Sequence, residues 1–126
     1  MNSIERWAEQ ARYDIETARA MQESGRYLYV VFCCQQAVEK AMKALVVQKT
    51  GDFPPRLHNL PRLADIAGVG LDPVREAFVG ELSGYYIQTR YPEEIESLSN
   101  ALDRDTAAET LRRTEEVTQW LLSMLK

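Results

Sequence analysis

The stretch that decides the fold is Tyr29-Val-Val-Phe-Cys-Cys-Gln-Gln-Ala-Val-Glu-Lys-Ala-Met-Lys-Ala-Leu-Val-Val47. Wound as a helix at about 100° per residue, it places Val31, Cys34, Val38, Ala41 and Leu45 on one side, at alternating spacings of three and four. Gln35, Gln36, Glu39, Lys40 and Lys43 fall on a separate, narrow arc. A helix that is apolar over most of its surface must be covered by neighbours. The segment therefore reads as the central rod of a helical bundle, whose polar strip either faces water or lines a cleft or subunit contact.

Working outward, 126 residues make one domain, residues 1–126, and a chain of this size can bury about two thirds of its unfolded surface without staples. Apolar residues make up 45% and charged residues 27% of the chain, as in ordinary globular proteins. No apolar run is long enough to span a bilayer, and the start, Met-Asn-Ser-Ile-Glu-Arg-Trp, lacks the pattern of a signal peptide. A cytoplasmic location and no membrane association are expected. Cys33 and Cys34 are adjacent and diverge on a helix, so they are expected to be reduced core residues rather than a disulfide. The net charge of −4 offers no global attraction for nucleic acid, which would need a local basic face.

The first helix is announced by Asn2 with Glu5 three residues on, a capping-box spacing. Ile4, Trp7, Ala8, Ala11, Ile15, Ala18 and Met21 follow at helical spacing until Gly25. Asp14 interrupts this face and sits either near the bundle interior, needing a donor, or at a solvated edge. The central helix runs to Gly51, where Asp-Phe-Pro-Pro breaks it. Asn59 is placed to cap a short helix from Leu60 to about Ala67, and Asp72-Pro73 to start a further one carrying Val74, Ala77, Phe78, Leu82 and Tyr85 inward. Gly80 and Gly84 within it suggest a close helix approach or a bend.

Pro92 ends that helix region, and the weak periodicity over 93–103 predicts a mobile loop. The last helix starts between Asp103 and Thr106, where Thr106 and Glu109 have capping-box spacing. It buries Ala107, Leu111, Val117, Leu121 and Leu125, and Trp120 and Met124 widen the stripe enough to serve a second surface. The expected fold is all-α, an up-and-down four-helix bundle with one additional short helix.

One histidine and two unspaced cysteines exclude a structural zinc site within the chain, and the Walker, Rossmann and Gly-x-Ser-x-Gly patterns are absent. No Glu-x-x-His pair supports a di-iron centre, so neither a metal nor another cofactor is expected. Two groups of residues could carry function. Glu39, Lys40 and Lys43, with Gln36, lie on the polar strip of the central helix, Glu39 and Lys43 in the favourable acid-first order of a helical ion pair, either simply solvated or part of a site. Tyr85, Tyr86, Arg90 and Tyr91 form the other group, able to stack on a base and hold a phosphate. Alternatively Tyr85 is core, Tyr86 caps the bundle, and Arg90 neutralises a helix C-terminus or the carboxylate of Asp14 or Glu39. His58, in a Pro-flanked connector, is an accessory candidate beside Asp14, Gln36 and Lys40.

The pattern Ala11-x-x-Asp14-Ile15, Gln36-Ala-Val-Glu-Lys-Ala-Met-Lys43-Ala-Leu, His58-Asn-Leu60 and Tyr86-x-x-x-Arg90-Tyr91-Pro92 resembles the HEPN (higher eukaryotes and prokaryotes nucleotide-binding) domain family. The resemblance spans nearly the whole chain in the expected order. It implies a bundle of four or five helices, a homodimer and, in prokaryotes, pairing with a minimal nucleotidyltransferase in a toxin–antitoxin-like module. Many members are metal-independent ribonucleases with an Arg-x4-6-His motif paired across the dimer. That spacing would require arginine at 51, 52 or 53, where Gly51, Asp52 and Phe53 stand. Without the general acid–base pair the rate falls by powers of ten. The expectation is therefore a non-catalytic homodimer binding a partner protein, and a nucleotide in a groove of Glu39, Lys43, Tyr86, Arg90 and Tyr91. The competing expectation is an RNA-binding or RNA-cleaving toxin acting through Arg90 and the Tyr85, Tyr86 and Tyr91 cluster.

Overall fold

In the computed structural model, which describes residues 2–126, six helices and no strands are found among the described residues: α1 (Ser3–Glu23), α2 (Tyr27–Thr50), α3 (Leu60–Ala67), α4 (Pro73–Ser83), α5 (Pro92–Asn100) and α6 (Arg104–Leu122). The all-α bundle is as expected, and α2 is its rod, in contact with every other helix. Its Val30, Val31, Cys34, Ala37, Val38, Ala41, Met42 and Ala44 are fully buried. Ala8, Ala11, Ile15 and Ala18 of α1 and Ala107, Leu111, Val117 and Leu121 of α6 close on it from two sides. The small residues of α1 let its backbone approach α2 along most of its length, with Gly25 at φ +78° making the turn between them.

Helix ends obey local chemistry. The Asn2 side chain accepts from Glu5 N–H at 2.9 Å, Asn59 from Arg62 N–H at 3.0 Å and Asp72 from Arg75 N–H at 2.9 Å, satisfying donors that have no intrahelical partner. The α6 cap is Asp103, accepting from Thr106 N–H at 2.8 Å, which replaces the expected Thr106 cap. These hydrogen bonds are the first cause holding both the Asp72 and Asp103 carboxyls below their usual range.

Three readings of the second half are corrected. The segment after Pro92 is not a mobile loop, because Pro92 opens α5 and Glu93 and Glu94 in its first turn complement the helix dipole. No residue of α5 is fully buried, so its apolar periodicity had no core to imprint it. Helix α4 ends at Ser83, with Gly84 as its cap, and it turns Phe78, Val79 and Leu82 inward while Val74 and Ala77 face solvent. Nothing lies within 4 Å of where a side chain on Gly80 would begin, so that glycine marks no close approach.

Long side chains tie the bundle's surfaces. Arg75 of α4 lies over the Trp120 ring at 3.9 Å and Arg113 of α6 over Phe78 at 4.3 Å, so part of the widened α6 stripe is covered by a guanidinium. Gln48 of α2 donates to Met124 O at 3.1 Å and accepts from Lys126 N–H at 2.9 Å, docking the end of the chain.

Burial pushes the Cys33 thiol up to about 11 and the Cys34 thiol up to about 12, keeping both neutral. Above about pH 9, where a thiol of the unfolded chain ionises, the folded state retains protons that the unfolded state loses. Stability is therefore expected to fall as pH rises through that range, and Cys34→Ala should flatten the slope in urea titrations between about pH 8 and pH 10.5. Asn59→Ala should cost about 1 kcal/mol through its lost cap, read as a lower urea midpoint at unchanged m.

Candidate functional site

The polar strip of α2 points inward. Gln35, Glu39 and Lys43 are all buried, at 0%, 3% and 6% exposure, among residues that are otherwise apolar. A carboxylate in such surroundings must be paired and hydrogen-bonded, and Glu39 has donors on both oxygens. Lys43 Nζ lies 3.0 Å from Oε2, while Gln35 Nε2 at 3.1 Å and His58 Nδ1 at 2.9 Å share Oε1. The spacing of Gln35, Glu39 and Lys43, one turn apart each, is what allows a single helix to supply two of the three. The Lys43 ammonium also sits 5.6 Å from the centre of the Trp7 ring of α1.

The third donor arrives from the connector between α2 and α3. Gly51, left-handed at φ +70°, ends α2, Pro54 and Pro55 carry the chain back along it, and Asn59 starts α3. His58 is thereby held between a helix end and a helix start. Its carbonyl accepts from Gln35 Nε2 at 3.3 Å, and the next N–H but one, that of Leu60, donates to Ser83 Oγ of α4 at 3.0 Å. The imidazole stacks on Tyr86, with ring centres 3.9 Å apart and planes 12° from parallel, and Tyr86 meets Phe32 of α2 at 6.0 Å in a tilted contact. Burial, and secondly the Glu39 carboxylate, raise the Tyr86 hydroxyl above the usual tyrosine range. It remains a neutral donor, directed to Gln88 Oε1 at 3.0 Å.

His58, Asn59, Ser83, Tyr86, Thr89, Arg90 and Glu94 line an open cleft of about 340 Å³ at this end of the bundle. Arg90 and His58, distant in sequence, thus share one surface. Arg90 does not pair with Asp14 or Glu39, as the sequence suggested. Its guanidinium donates to the carbonyl of Gly84, which caps α4, and to Glu94 Oε2 at 3.3 Å, one turn into α5. The physical reason is proximity: a helix C-terminus and the acidic start of the next helix both lie within reach of the intervening loop. Asp14 is instead the partner of Lys40, at 2.8 Å across the α1–α2 contact. Gln36 is half-buried on the same face of α2.

The tyrosine cluster is divided. Tyr85 is directed at Glu81 Oε1, 3.5 Å away, and burial is the main cause raising its hydroxyl. One face of Tyr86 is taken by His58, and Tyr91 is 72% exposed at the start of α5 without lining the cleft. Sequence reasoning missed Ser83, Thr89 and Glu94 as cleft residues, and Gln35 and Trp7 as supports of Glu39 and Lys43. The available signal was the polar triplet at four-residue spacing inside an apolar helix. No group of three or more His, Cys, Asp or Glu side chains converges among the described residues.

Removing Glu39 alone leaves Lys43 buried without its counter-ion. Glu39→Ala is expected to destabilise the protein by about 3 to 5 kcal/mol, whereas the double change Glu39→Leu with Lys43→Met, which removes both charges and keeps volume, should cost far less. Urea denaturation of the two variants checks the difference.

Known proteins share this fold. A model of the HEPN domain matches residues 4–124. The crystal structure of TT1696 from Thermus thermophilus is similar over 99% of this chain and 100% of that one, with 26% identity and a TM-score of 0.84. The structure of ST0689, an archaeal HEPN homologue, shares the fold over the full length of both chains, at 23% identity and a TM-score of 0.69. No curated protein matches the sequence. Because the family model covers nearly the whole chain, this protein belongs to the HEPN domain family.

Proposed function

We propose that this chain is a non-catalytic, homodimeric HEPN-domain protein that binds a partner protein and takes a nucleotide in the cleft of His58 and Arg90. The observation that carries the reading is how the charges are spent. Glu39 and Lys43 neutralise one another in the interior, and among the described residues Arg90 is the one lysine or arginine lining the cleft, faced by Glu94. An exposed ion pair one helical turn apart is worth only about 0.3–0.5 kcal/mol, so a phosphate can displace Glu94 from the guanidinium cheaply. A bidentate phosphate on Arg90, with hydroxyl donors from Ser83 and Thr89, fits a volume of about 340 Å³. Family membership supports a homodimer and a minimal nucleotidyltransferase as the partner, in a toxin–antitoxin-like module.

Titration calorimetry with mononucleotides is expected to give a binding heat that Arg90→Ala weakens roughly tenfold or more. The same heat from both proteins, or none from either, would sink the cleft reading. Sedimentation at micromolar concentrations tests the homodimer separately, with a monomer counting against it.

A second reading, an RNA-binding or RNA-cleaving toxin, is favoured by one observation: an arginine and a histidine from different loops line the same cleft. Opposing it, Glu93, Glu94 and Glu96 follow Arg90 on α5, where they repel a polyanion. Growth arrest with RNA breakdown on induced expression, abolished by Arg90→Ala, would establish this second reading over the first.

A further inference from the structure

We infer that Glu39 is a positioning residue that locks His58 as the Nδ1–H tautomer, so that Nε2 is offered to the cleft as a hydrogen-bond acceptor. The inference begins with the proton count. Glu39 is ion-paired with Lys43 Nζ at 3.0 Å and also accepts from Gln35 Nε2, and the carboxylate of such a pair has no proton to give. The 2.9 Å contact between His58 Nδ1 and Glu39 Oε1 therefore requires the proton to be on Nδ1. In the neutral ring the lone pair then belongs to Nε2.

The surroundings make this an imposed state. The Glu39 side chain is 5% exposed and the His58 ring 43% exposed, so the bonded edge is anchored in the interior while the rest of the ring reaches the cleft. Nε2 has no hydrogen-bond partner among the described residues. Turning the ring over would replace Nδ1 with a carbon opposite Oε1 and forfeit the hydrogen bond, while the stack on Tyr86 fixes the ring plane. An Nε2–H ring, the form preferred by a free imidazole side chain, would bring two lone pairs together at Nδ1 and Oε1. Lys43 serves the same end at one remove, as the counter-charge of the Glu39 carboxylate.

The consequence concerns ligand chemistry, and this part rests on the cleft being the ligand site. Arg90 asks for an oxyanion, and His58 asks for a donor. The class that supplies both is a hydroxylated phosphate ester, with the phosphate on Arg90 and a hydroxyl donating to Nε2. Methyl phosphate, which as the dianion carries no hydroxyl, satisfies the first demand, and glycerol phosphate satisfies both.

The protein has a single histidine, so its imidazole nitrogens are assigned without ambiguity in a long-range proton–nitrogen correlation spectrum. In the ligand-free protein, with the ring neutral, Nδ1 is expected to show the protonated-type shift and Nε2 the lone-pair type. The double variant Glu39→Leu with Lys43→Met should revert to the Nε2–H form. A wild-type ring in the Nε2–H form overturns the inference, as does a double variant that keeps Nδ1–H. This measurement needs no ligand, so it stands or falls apart from the nucleotide reading. For the ligand class, glycerol phosphate should bind about fivefold more tightly than methyl phosphate, as one added hydrogen bond of about 1 kcal/mol implies. The preference should vanish in the double variant. Equal affinities, or no binding of either, overturn the assignment of ligand class while leaving the tautomer to its own test.

Discussion

A carboxylate buried in the middle of the central helix is the constraint to which the rest of the structure answers. Glu39 cannot remain charged there without donors on both oxygens, and meeting that demand draws in parts of the chain that are distant in sequence. Lys43 and Gln35 come from its own helix, and Trp7 of α1 is the ring beside the Lys43 ammonium. The connector after α2 must return far enough to deliver His58, whose ring then sets Tyr86 and, through it, the end of α4. A purely apolar α2 would pack as well, but it would not specify where the connector lies. The ionic interior thus acts as a register mark between the helical core and the cleft at its end.

Most of the fold was legible in the chain because its helices carry local signals. The apolar excess of 29–47 identifies the rod, and Asn2, Asn59 and Asp72 fulfil the capping roles their positions imply. What was not legible had no local cause. Helix α5 buries no residue fully, so its sequence carries little periodicity, and only Pro92 and the acids after it hint at a helix. Val74 looked like an inward residue of α4, but the stripe the core selects is that of Phe78, Val79 and Leu82, fixed by the helices around α4 rather than by α4 itself.

The candidate site was legible in its members and not in its pairings. His58, Tyr86 and Arg90 line one cleft, whereas Glu39 and Lys43 lie buried behind it, joined to it through His58. Reading Arg90 as the partner of Asp14 or Glu39 failed because charge type alone cannot rank carboxylates: Glu94 and the Gly84 carbonyl are within reach through a short loop, whereas Asp14 is taken by Lys40 across the α1–α2 contact. The pairing of Glu39 with His58 crosses a connector whose path depends on Gly51, two prolines and the Asn59 cap together. Spacing along the chain contains no direct record of that path.

The lack of any fully buried residue in α5 bears on how the cleft can respond. Local opening costs least where few apolar contacts are lost, so α5 belongs to the soft end of this molecule while α2 shares the stability of the core. The two sides of the cleft are thus mechanically unequal: His58 stands on a wall anchored through Glu39, and Arg90 stands beside one that yields. A small ligand can be met by the first without rearrangement and accommodated by the second through a shift of α5, leaving the bundle undisturbed.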